Sequence, residues 1–143
     1  MYPPVGILGC PSDLWLVAHN GAGVAVALTG FVSYATGFEF LVALRTDGEP
    51  SALALTEPEA EAAPLEAAVV TGSATIRSWE CHVRGHSRSN VAADFACWCQ
   101  FPPDGTHLRL SLGRLVPLSD VQLLVPMEGL RAAGARAITV AKR

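Results

Sequence analysis

Residues 14–45 read LWLVAHNGAGVAVALTGFVSYATGFEFLVALR. Apolar and other side chains alternate along it with period two, the pattern of a half-buried β-strand. Leu14, Leu16 and Ala18 alternate with Trp15, Val17 and His19. Asn20-Gly21 follows, and that dipeptide favours positive φ at both positions, as a tight hairpin requires. In the next run, Val24 to Tyr34, the residues Val24, Val26, Leu28 and Val32 fall on one face. Ala35-Thr36-Gly37 reads as a three-residue hairpin loop with its glycine in the left-handed region. Beyond it, Phe38, Phe40, Val42 and Leu44 alternate with Glu39, Leu41, Ala43 and Arg45, and Asp47-Gly48 ends the run. Three antiparallel strands in a meander are predicted. Phe31 and Leu41, set against Phe38 and Phe40, make this sheet apolar on both faces in places. Loops or another subunit are expected to cover it on both sides.

The same alternation continues outward from this stretch. Strands are predicted at 68–71, 75–84, 91–101, 107–112 and 120–125, with a polar loop at 84–90 carrying Arg84, His86 and Arg88. Pro102-Pro103-Asp104-Gly105 is a turn signal. Residues 51–55 read as a short strand. Residues 56–66 read as an acidic connection, in which Thr56 and Glu59 could form a capping box beside Pro58. The carboxylates of this connection are those of a solvated face. Pro126-Met127-Glu128 opens a short helix to about Ala135, and 137–140 adds a last strand. Short strands separated by turns, with no room for helices between them, exclude a parallel α/β fold. The fold predicted is all-β: an antiparallel two-sheet β-sandwich with one short C-terminal helix, a single domain over residues 1–143.

The composition agrees. Half of the 143 residues are apolar and 16% are charged, which excludes a disordered chain. Such a length buries a core without disulfides or metals. Net charge is −3, and the basic residues, nine arginines and Lys142, are scattered. No basic footprint for nucleic acid follows from that. The most apolar stretch is too short for a spanning helix, and Met1-Tyr2-Pro3-Pro4 lacks the positive start of a signal peptide, so no membrane and a cytoplasmic location are expected.

The constellation that first suggests chemistry is Cys81-His82, His86, Cys97-x-Cys99 and His107, since zinc takes Cys and His in fours. Parity argues against it. Cys97 and Cys99 share a face with Val91, Ala93, Phe95 and Phe101, and Cys81 shares one with Trp79 and Val83, while His82 and His107 point the other way. The thiols read as small core hydrophobes, with Cys10 in an N-terminal loop. If 75–84, 91–101 and 106–112 are neighbours, their outward side chains gather Glu80, His82, Asp94, Trp98, Gln100, His107 and Arg109 into one patch. Histidine beside carboxylate is raw material for acid–base chemistry. Exposed tryptophan with Arg and Gln is raw material for a binding surface. No dinucleotide fingerprint, phosphate loop or nucleophile elbow occurs, and no cofactor or metal is implied.

Three segments also carry a resemblance. They are Gly23 to Leu28 with Tyr34 and Gly37-Phe38-Glu39-Phe40; Trp98-Cys99-Gln100-Phe101-Pro102-Pro103-Asp104-Gly105; and Leu130-Arg131-Ala132-Ala133 with Ala135-Arg136-Ala137. In that order they resemble an uncharacterised family of small all-β proteins from high-GC bacteria. In that family an aromatic-rich strand ends in a Pro-Pro turn and an Arg/Ala helix closes the chain. The resemblance spans most of the chain except roughly 46–72. It departs where Cys97 and Cys99 stand in place of bulky aromatics, and it implies no activity for any residue.

These readings converge on a non-catalytic protein-interaction or structural module, a subunit of a larger assembly, with a protein partner or self-association. The alternative is a metal-binding protein or hydrolase-like enzyme using His82, Asp94 and His107.

Overall fold

The computed structural model describes residues 3–48, 65–89, 91–113, 115 and 121–143. The expected strand at 51–55 and the capping box at 56–59 lie outside the described residues. Along the described chain run β1 (Ile7–Leu8), β2 (Cys10–Pro11), β3 (Leu16–Gly21), β4 (Val24–Ser33), β5 (Gly37–Thr46), β6 (Leu65–Thr71), β7 (Ala74–Arg88), β8 (Ala92–Gln100), β9 (His107–Ser111), β10 (Gln122–Pro126), α1 (Glu128–Gly134) and β11 (Ile138–Thr139). The protein is mostly β, antiparallel, with one short helix among the described residues.

Two packed sheets were expected, but the ladder is continuous. Nine strands hydrogen-bond in the order β10-β9-β6-β7-β8-β5-β4-β2, with β3 also on β4; β1 and β11 form a separate two-stranded ribbon. The reason is β7, which has 15 residues. Its first half, Ala74 to Cys81, pairs with β6, and its second half, His82 to Arg88, pairs with β8. A register shift between Val83 and Gly85 lets the strand bend. One long bent strand therefore carries two lobes of a single curled sheet, where the sequence pattern suggested two. Residues 84–88, read as a polar loop, belong to β7 because that shift hides their alternation.

All inner faces meet in one core. Val24, Val26, Leu28, Phe38, Phe40, Val42 and Leu44 from the first lobe share it with Leu108, Leu110, Val125 and Met127 from the second. The inner face of β4 changes parity at Gly30, which adopts φ 64° beside a register shift between Thr29 and Val32. Phe31 turns inward as a result, and Val32, expected on the inner face, lies only half-buried. The β3–β4 turn also differs from expectation. Positive φ falls on Ala22 (55°) and Gly23 (78°), whereas Asn20 and Gly21 pair within β3.

Helix α1 closes one end. Met127, Leu130 and Ala133 are buried at helical spacing, and Glu128 lies in the first turn where a negative charge suits the helix dipole. So short a helix draws its stability from packing. Gly134 makes this contact possible: a side chain there would strike the Tyr34 carbonyl.

Candidate functional site

Strand parity placed Trp98 on the outer face, and the ladder agrees, since it lies between His82 on β7 and Glu39 on β5. Its exposure does not match. Trp98 is 0% exposed, so it is no surface anchor. Tyr34, just past β4, stands edge-on to it with ring centroids 5.7 Å apart. Gly37, expected in the left-handed region of the loop, is instead a buried β5 residue, and a Cβ there would come within 2.8 Å of the indole. The Tyr34 hydroxyl donates to Glu39 Oε1 at 3.1 Å, and Arg84 Nη1 lies 3.5 Å from Glu39 Oε2. Burial, then the Glu39 charge, raises the Tyr34 pKa. Tyr34, held by Glu39 and through it linked to Arg84, thus packs against Trp98, a contact that strand parity alone could not reveal.

The rest of the expected patch is dispersed, because β6 separates β9 from β7. His107 sits opposite Val70 of β6, which itself faces Thr75 of β7. That point lies about 23 Å along β7 from His82, at about 3.3 Å per residue. His107 Nδ1 is 2.9 Å from Thr106 Oγ1, and Arg109 Nη2 donates to Thr75 Oγ1 at 3.3 Å. Asp94 faces Ser87, about 16 Å along β7 from His82. Its Oδ1 accepts from Arg45 Nη1 at 2.8 Å. The His82–Asp94–His107 arrangement required by the enzyme alternative does not form.

Three expected residues do converge. Glu80, His82 and Gln100 line one open recess of about 350 Å³ together with Ser78 and Trp79. It opens where β8 ends beside the middle of β7. Trp79 is half-buried and held in place by its indole N–H, which donates to the Gln100 carbonyl at 3.0 Å. Neither the Glu80 nor the His82 side chain has a hydrogen bond or ion pair among the described residues. Trp79 escaped the sequence reading because parity assigned it to the core; it sits at the rim, packed against the core on one side. A second hollow, of about 620 Å³, is lined by Gly105, Thr106, His107, Pro126, Glu128 and Arg131. Its arginine is committed to the fold, stacked over Phe101 and donating to the Pro102 carbonyl at 2.5 Å.

The thiols lie inside, as parity required: Cys81, Cys97 and Cys99 are buried. Burial, with Cys99 alongside, pushes the Cys97 thiol up to about 12, and burial with a hydrogen bond to Cys99 raises Cys81 well above its ordinary value. Such thiols are protonated and unreactive. Cys10, read as a loop residue, makes a short pairing with Ser33. Among the described residues, no group of three or more His, Cys, Asp or Glu side chains could hold a metal ion. No helix among them is long and apolar enough to cross a membrane.

No protein-family model, curated protein or solved structure matches the chain.

Proposed function

We propose that the chain is a non-catalytic protein-interaction module whose partner contacts the recess lined by Ser78, Trp79, Glu80, His82 and Gln100. One observation carries this reading. Of the ionisable residues expected on the outer face, Asp94, His107 and Arg109 are engaged by neighbours, whereas Glu80 and His82, beside a fixed aromatic rim, have no hydrogen-bond or ion-pair partner among the described residues. A tryptophan held in place at the rim of a recess is of the residue type enriched at contact centres. Catalysis by His82 would call for an orienting or acid–base partner within about 3 Å.

The partner binds through side chains rather than by adding a strand. The open edges are blunted. In β3 a register shift between Val17 and His19 interrupts the ladder, and β2 is two residues long and ends in Pro11. β10 is five residues long and ends in Pro126. Bulges, short strands and prolines are the devices that keep edges from pairing.

Native mass spectrometry of the protein, purified with its natural companions, tests the reading. A co-purified protein or second copy is expected on the wild type and lost from Glu80→Ala/His82→Ala, with the thermal midpoint unchanged. A bare chain in both, or equal occupancy in both, contradicts it.

A further inference from the structure

Exposed large apolar side chains of the curled sheet, such as Leu41 and Leu124, are ordinary for a protein surface. The β1/β11 ribbon is different. Leu8 and Ile138 are directly paired across it, and the Val140 N–H donates to the Gly6 carbonyl at 2.8 Å, which extends the ladder by one pair. Successive side chains of a strand alternate faces, so Leu8, Ile138 and Val140 share one face. They are 64%, 61% and 60% exposed. Two strands alone are marginally stable in water, and this pair presents its apolar face outward.

Within the two segments that carry the ribbon, the charged side chains share one sign. Residues 3–12 carry no charged side chain, and residues 135–143 carry Arg136, Lys142 and Arg143, all exposed, with no carboxylate side chain. The chain as a whole has a net charge of −3, so this positive end is a local feature. Packing two ribbons face to face would bring their cations together, which disfavours a second copy as the occupant. The apolar side chains are all aliphatic, whereas the centres of protein–protein contacts are enriched in Tyr, Trp and Arg. Aliphatic side chains flanked by Lys and Arg match a different surface: hydrocarbon just beneath a layer of phosphate.

We infer that the β1/β11 ribbon is an interfacial contact for anionic lipid, with Leu8, Ile138 and Val140 entering the acyl boundary and Arg136, Lys142 and Arg143 meeting the phosphates. Such a contact needs no spanning segment. It is separate from the recess at Glu80 and His82, and each stands or falls without the other.

Flotation with vesicles of phosphatidylcholine, alone or with about a third phosphatidylserine, tests this at about 0.15 M salt. Wild-type protein is expected to float with the anionic vesicles and stay behind with the neutral ones. Leu8→Asn/Ile138→Asn and Lys142→Gln/Arg143→Gln should each weaken binding about tenfold or more. Circular dichroism checks that both variants fold; if the first does not, the charge variant carries the test. Absence of flotation, equal flotation with both vesicles, or unchanged binding by the folded variants overturns the inference. Binding to soluble polyglutamate but not to vesicles also overturns it, and points to an acidic protein segment instead.

Discussion

The Tyr34 ring stands edge-on over Trp98 at an interplanar angle of 67°, and its hydroxyl is tied to Glu39, the residue facing Trp98 across the ladder. This contact keeps an outward-pointing tryptophan dry. Tyr34→Ala is expected to cost about 3 kcal/mol, the range for removing a large buried ring. Tyr34→Phe loses only the hydrogen bond and is expected to cost about 1 kcal/mol. Urea unfolding gives both values, and native-state tryptophan emission should shift to the red in the alanine variant alone.

Gly37 is needed for closeness, not for an unusual φ. A Cβ there would strike the Cys99 carbonyl, which is backbone and cannot rotate away. Gly37→Ala is therefore expected to destabilise by more than about 2 kcal/mol, typical of overpacking. Trp98→Phe should be milder than its burial suggests. The indole N–H is buried without an acceptor among the described residues, and removing it relieves an unmet donor. The measurement is the same unfolding series.

The pH dependence follows from Cys97, whose folded pKa of about 12 stands above its ordinary 9.0. Below pH 9 both states hold the proton and the thiol contributes nothing to the slope. Between the two values the unfolded chain releases the proton while the folded chain keeps it. Stability must then fall as pH rises, by at most about 1.4 kcal/mol per pH unit for this group. Unfolding measured from pH 8 to 11 should show a shallower decline in Cys97→Ala than in the wild type.

The Arg45–Asp94 bridge spans 2.8 Å, but its arginine side chain is 54% exposed. Solvent screens such a pair. Asp94→Asn is expected to change stability by less than about 1 kcal/mol, with the difference fading at high salt. A larger loss would mean that Asp94 supports more than this bridge.

What the sequence disclosed and what it concealed divide along one physical line. Period-two alternation is local, and it located β4, β5, β8 and β9 and turned the thiols inward. Strand order is not local. The outer patch required β9 beside β7, but β6 pairs with both, so His107 and Arg109 went to the other lobe. Burial of an outward residue is not local either. No pattern within 91–101 could show that Tyr34 would fold over Trp98. Bulges defeated the alternation itself: Gly30 turned Phe31 inward, and the shift near Gly85 made the end of β7 look like a loop. Two-residue β1, β2 and β11 are too short to show a period.

Whether Glu80 and His82 meet a partner is tested most directly by a photo-crosslinking side chain placed at position 80, with position 124 as the control. Leu124 points outward from β10, three strands away from β7 in the sheet. Irradiation of the protein among its natural companions should give one discrete adduct from position 80 and none from position 124. That adduct should vanish when His82→Ala is added. Equal labelling from both positions, or none from position 80, would contradict a partner at the recess.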